Sequence, residues 1–120
     1  MEETNKVWRS ICWLLFLGCL SAVLYGIFRP TPPEMIFENS DKVGHLLAFF
    51  LLSVTARLAM PYMPWYWFWT IFVELAFLLE YLQGLWMPLR QFSLQDSYAN
   101  LCGVAIGWIF LALIGLCRNR

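Results

Sequence analysis

Charge is the scarcest commodity in this chain. Only 13% of its 120 residues are Asp, Glu, Lys or Arg, about half the fraction usual in soluble domains. The balance is even, eight acidic against eight basic residues, and no Lys/Arg-rich run recommends a nucleic-acid partner. There is one histidine, with no nucleophile motif or phosphatase signature, so no recognisable catalytic signature is present. No C-x-x-C pair occurs. Cys12, Cys19, Cys102 and Cys117 all fall in apolar runs and read as small core residues. Linkers, low-complexity tracts and solenoid repeats are missing too, so residues 1–120 read as one domain. No cofactor is expected.

Apolar surface is what the chain has in excess: 61% hydrophobic residues, including seven Trp, ten Phe and five Tyr. A soluble core of this size can hardly hide that bulk, whereas lipid can solvate it. Four apolar runs predict helices over about 8–28, 42–60, 65–85 and 97–117, each near the roughly 20 residues that cross a bilayer. Only helices and closed barrels satisfy the backbone in hydrocarbon, and these runs show no period-2 alternation. The expected fold is therefore all-α, an integral membrane four-helix bundle. Trp8, Trp65, Tyr66 and Trp67 lie at run ends, where amphipathic rings favour the headgroup level. The first run begins with Lys6 and Arg9 but has no small-x-small cleavage site and is long, so it reads as a span and not a signal peptide.

Positive charge sets the expected orientation. With the N-terminus cytoplasmic, Lys6, Arg9, Arg57, Arg118 and Arg120 share the inner side, and Arg29, Lys42 and Arg90 lie outside. Five against three favours N-in and C-in.

In a four-helix hairpin arrangement the first and third loops share one membrane face. Asp41, Lys42 and His45 open helix 2, Glu80 and Gln83 close helix 3, Arg90 and Ser93 lie in the third loop, and Asp96 and Asn100 open helix 4. Asp41 and His45 are i,i+4 and Glu80 and Gln83 i,i+3, so each pair shares a helix face. Asp96, Asn100, Gly103 and Gly107 form a stripe that is polar near the surface and small further in. Gly103-x-x-x-Gly107 lets another helix approach closely, which turns Asp96 and Asn100 toward the bundle. Each residue has a plainer role as well. Asp41, Ser93 and Asp96 suit helix starts, Asn100 suits helix–helix bonding, and Lys42 and Arg57 suit snorkelling. A carboxylate such as Glu80 on a spanning helix is costly unless paired. Glu74 lies outside the cluster, six residues before Glu80 at about 100° each, so the two face different ways.

The ordered set Asp41-Lys42-x-x-His45-x-x-x-Phe49-Phe50, Glu80-x-x-Gln83 and Arg90-x-x-Ser93-x-x-Asp96-x-x-x-Asn100-x-x-Gly103-x-x-x-Gly107 resembles the VanZ-like family over roughly residues 41–110. The resemblance implies a small four-helix protein of the bacterial cytoplasmic membrane and cell envelope. The family's founding member is associated with resistance to the glycopeptide teicoplanin, and the resemblance carries no biochemical activity with it.

Three expectations follow for the cluster. The leading one is recognition of an anionic envelope-lipid or cell-wall-precursor headgroup at the outer face. Arg90 binds phosphate with Lys42 as a second cation, Gln83, Ser93 and Asn100 supply neutral hydrogen bonds, and Asp41, Glu80 and Asp96 orient the cations. In an enzymatic alternative, His45 beside Asp41 acts as general base on a lipid phosphate, with Glu80 or Asp96 as acid. In the structural alternative, the cluster locks the helices and the protein assists a partner. No metal is expected, with Asp41, His45, Glu80 and Asp96 as the alternative ligand set. Membrane lipid is the expected partner, and the oligomeric state is left open.

Overall fold

The computed structural model of the chain describes residues 2–28, 40–86 and 94–118, with side chains for 3–28, 42–86 and 94–115. These residues form four helices, α1 (Glu2–Phe28), α2 (Ser40–Ala59), α3 (Trp65–Trp86) and α4 (Leu94–Arg118). Each carries a stretch long and apolar enough to cross a membrane, with mean hydropathy from 1.3 in α3 to 2.3 in α1.

Three helices start earlier than expected, α2 by two residues at Ser40. α1 begins at Glu2, and the exposed N–H groups and positive dipole end of a first turn favour acidic residue types at such a start. Its 27 residues span about 40 Å, more than the roughly 30 Å thickness of a bilayer's hydrocarbon. α4 begins at Leu94, which puts Asp96 inside the first turn.

The bundle runs up and down, and its tightest pair is not a hairpin. α2 and α4 lie parallel: His45 meets Asn100 near their starts, and Phe50 meets Phe110 edge-on at 5.6 Å further along. α2 packs most extensively on α4 and next on α1, while α3 lies mainly against α4. The glycine stripe explains the pairing. A Cβ at Gly103 overlaps the Leu46 carbonyl oxygen of α2 and sits 3.0 Å from the Phe50 nitrogen, and one at Gly107 meets Ser53 Oγ. The absent side chains let the two backbones touch. Between the helices lies a core of Phe49, Leu52 and Ala56 from α2, Phe68, Phe72 and Ala76 from α3, Val23 and Ile27 from α1, and Val104 from α4.

Most of each helix's apolar surface stays outside the bundle. Leu14 is 69% exposed, Leu85 61% and Leu113 57%. Apolar exposure on this scale exceeds what a soluble monomer tolerates. An apolar cleft of about 240 Å³ opens between α1, α2 and α3, lined by Phe16, Leu52, Met63, Phe68 and Phe72 among others.

The two ends of the bundle differ in chemistry. At one, Trp108 of α4 stacks on Trp65 at 6.4 Å and lies 6.0 Å from Trp69. Arg57 belongs to this end. Snorkelling is not the whole of its role: Nη1 donates to the Met63 carbonyl at 2.6 Å, and the guanidinium lies 5.1 Å over the Phe68 ring. The α2–α3 turn contains Pro61 and Pro64, which lack N–H groups, and Arg57 pins that turn with a cation–π contact beneath it. The other end is polar.

Candidate functional site: a polar cluster at one end of the bundle

α2 and α4 both begin at this end, and α3 finishes there. At 1.5 Å per residue, His45 and Asn100 lie about 8–9 Å along their helices, Glu80 about 9 Å before the end of α3, and Lys42 and Asp96 in outermost turns. The elements thus stack the polar groups in two tiers. The inner tier is fully buried, with Glu80 at 1% and Asn100 at 0% exposure. The outer tier is partly open, with side-chain exposures of 30% for Lys42 and 14% for Asp96.

Asn100 joins three helices. Its Nδ2 donates to the Ala76 carbonyl of α3 at 3.0 Å, and its Oδ1 lies 3.0 Å from His45 Nδ1 of α2. The carbonyl can only accept, so the amide NH₂ must face it, and Oδ1 must face the imidazole. An acceptor at 3.0 Å requires that Nδ1 carry a proton. The other ring nitrogen, Nε2, points toward Asp96 Oδ2 at 3.8 Å. The second oxygen of Asp96, Oδ1, faces Lys42 Nζ at 3.8 Å. Donor atoms of His45, Glu80 and Asp96 all lie within 4.8 Å of one another.

Gln83 serves a different neighbour. Its Nε2 donates to the Ile27 carbonyl at 2.8 Å, one of the last carbonyls of α1, which have no partner within that helix. Phe28 of α1 and Trp86 of α3 meet at 5.8 Å beside it. Gln83 therefore ties α1 to the polar end. Ser97 joins the buried polar set, at 0% exposure, and its Oγ has no hydrogen-bond partner among the described residues. Sequence reasoning passed over Ser97, although it precedes Asn100 by three residues and so shares its side of α4.

Of the expected site residues, Lys42, His45, Glu80, Asp96 and Asn100 come together, with Gln83 in the same terminal region of α3. Arg90 and Ser93 lie outside the described residues. Asp41 is placed in α2 by its backbone, and its side chain lies outside the described set. The described carboxylates near His45 are those of Asp96, 3.8 Å from Nε2, and Glu80, in the same group of donor atoms. Glu74, on the same helix as buried Glu80, is exposed on an outer face. Cys12 is buried, Cys19 half-buried and Cys102 exposed, all as free thiols.

The arrangement offers a charged rim with a hydrogen-bonded floor. It can hold a polar or ionic group at the end of the bundle, and it joins α2, α3 and α4 through buried polar contacts. No family model, curated protein or solved structure matches the chain.

Proposed function

We propose that the protein is a VanZ-like multi-pass protein of the bacterial cytoplasmic membrane, oriented N-in and C-in, whose polar end recognises an anionic envelope-lipid or cell-wall-precursor headgroup at the outer face. One observation carries the reading: Lys42, His45 and Asp96 form a partly exposed rim over buried Glu80 and Asn100 at one end of an otherwise apolar bundle. Polar groups gathered in spanning helices are costly and mark functional sites by default. The exposed apolar flanks support membrane insertion, and the five-to-three distribution of Lys and Arg supports the orientation. Lys42 offers a headgroup phosphate a cation held against Asp96, and Arg90, six residues before Asp96 in the sequence, adds a fork suited to phosphate.

Orientation is checked first. A reporter fused after Pro61 is expected to read cytoplasmic, and an external reading overturns the N-in assignment. For recognition, the detergent-purified protein is titrated with phosphatidylglycerol and with a polyprenyl phosphate, against phosphatidylcholine as the zwitterionic control, and read by native mass spectrometry. Stoichiometric binding of an anionic species, weakened about tenfold in folded Lys42→Ala or Arg90→Ala (the loss of one charge-assisted contact), is the expected result. Equal retention of all three lipids sinks the headgroup reading.

A structural reading has its own support, because Asn100 and Gln83 donate to backbone carbonyls of other helices. Reversing the Lys42–Asp96 pair separates the two. If the combined Lys42→Asp and Asp96→Lys variant regains both assembly and lipid binding, the pair is a lock. If it regains assembly alone, the groups face a ligand.

A further inference from the structure

We propose that His45, Glu80 and Asp96 bind a single divalent transition-metal ion at the polar end of the bundle. The proposal uses the same cluster as the headgroup reading but does not depend on it, since the ligands come from the chain itself.

The tautomer of His45 is the first argument. Asn100 is held by the Ala76 carbonyl and accepts from His45 Nδ1, which leaves Nε2 as the ring nitrogen facing Asp96, with Glu80 in the same group of donor atoms. Metal-binding histidines are oriented in this way, with the far N–H donated to a fixed oxygen that sets ring angle and tautomer. Here the oxygen belongs to a fully buried side chain anchored to backbone on a third helix.

Distance is the second argument. His45 Nε2 and Asp96 Oδ2 are 3.8 Å apart, too far for a hydrogen bond, which needs about 2.7–3.2 Å. Two donors bound to one ion at about 2.1 Å sit roughly 3.0–4.2 Å apart, depending on the angle between them. The 3.8 Å separation therefore suits a shared ion. The whole trio lies within 4.8 Å, so a small side-chain rotation brings the widest pair into range.

Charge is the third. Two carboxylates converge where the surroundings are mostly protein and, in a bilayer, hydrocarbon. Lys42 approaches Asp96 at Oδ1 and His45 approaches it at Oδ2, so Oδ2 is the oxygen on the imidazole side. A divalent cation matches the charge of the two carboxylates, with Lys42 adding one positive charge at the rim. One nitrogen and two carboxylate oxygens, with no thiolate, select Mn²⁺, Fe²⁺ or Zn²⁺ over soft ions such as Cu(I). Three protein ligands leave coordination positions open, and the partly exposed rim gives an oxygen ligand from outside a route to them. A bound cation also removes the repulsion that this acidic cluster otherwise presents to a phosphate.

The test uses the full-length untagged chain in lipid-free detergent with Mn²⁺ alone, so that His45 is the only imidazole present. Pulsed electron paramagnetic resonance is expected to show an imidazole nitrogen coupled to one tightly held Mn²⁺ per chain. The coupling vanishes in His45→Gln, and affinity falls at least tenfold in Asp96→Asn, with helicity and elution volume as folding controls. Asn100→Ala, which frees the ring, weakens binding by about 10–100-fold while the imidazole coupling remains at saturation. Wild-type protein that holds Mn²⁺ without imidazole coupling, or holds none with Zn²⁺ giving the same result by calorimetry, overturns the proposal without need of any variant. Because lipid is absent, failure here leaves the lipid titration standing. Metal binding without anionic-lipid preference likewise overturns the headgroup reading and leaves this site in place.

Discussion

Gly103→Ala is expected to destabilise the protein by about 3 kcal/mol, at the upper end of the usual cost of overpacking, read as a large drop in thermal stability in detergent. The three atoms nearest the added methyl are all backbone: the Leu46 carbonyl oxygen, the Leu46 carbon at 3.1 Å and the Phe50 nitrogen at 3.0 Å. No rotamer change removes them, so α4 must move off α2. Asn100 lies three residues before Gly103, and that displacement also lengthens its 3.0 Å contact with His45. Gly107→Ala is expected to cost less, about 1 kcal/mol, because its nearest obstacle is the Ser53 hydroxyl, followed by Val54 Cγ2 at 3.5 Å. Ser53→Ala should rescue Gly107→Ala, and no side-chain truncation should rescue Gly103→Ala. Gly18→Ala, where a Cβ meets nothing within 4 Å, is the control and should stabilise α1 slightly through helix propensity. Equal tolerance at 103 and 18 would falsify the close α2–α4 approach.

The second large effect is expected at Asn100. Asn100→Leu keeps the branched shape with bulkier methyl groups and removes both hydrogen bonds, leaving His45 Nδ1 without its acceptor. The cost should be about 1–2 kcal/mol. A buried unsatisfied donor alone costs up to about 3, but interhelical polar contacts in membranes average about 0.6, because the unfolded helices also find partners. Asn100→Asp should be worse than Leu. It still accepts from His45, but it loses the bond to Ala76 and brings a third carboxylate toward Glu80 and Asp96. Nitrogen chemical shifts of His45 provide the site readout, with one Nδ1–H tautomer in the metal-free wild type and a mixture in Asn100→Leu. An unchanged tautomer in that variant would show that another acceptor holds the ring. If Leu proves more destabilising than Asp, electrostatic repulsion is not what the cluster manages.

These two residues also mark the boundary between local and tertiary information. Runs of about 20 apolar residues without period-2 alternation announce the four helices, because hydrocarbon leaves the backbone only helices and closed barrels in which to satisfy itself. The stripe Asp96, Asn100, Gly103, Gly107 was legible for the same kind of reason, since a helix repeats every 3.6 residues and places those positions on one side. Helix starts were less legible: polar residues in first turns, such as Glu2–Glu3 and Asp96, read equally well as loop or as helix N-terminus.

By itself, then, the sequence determined the number of helices, their apolar character, and the gathering of polar residues toward the loops at one end. It did not determine which helix fills the glycine groove. A missing side chain shows only that something can come close, and the nearest candidates along the chain lose to α2, which arrives parallel to α4 from the far side of a hairpin. Only that packing sets Asn100 between Ala76 and His45, assigns the imidazole proton, and turns Nε2 toward Asp96. The reason is geometric. Periodicity fixes the angle of a side chain about its own helix, whereas a hydrogen bond or a shared ion depends on the distance between two helices, a quantity that no single helix carries.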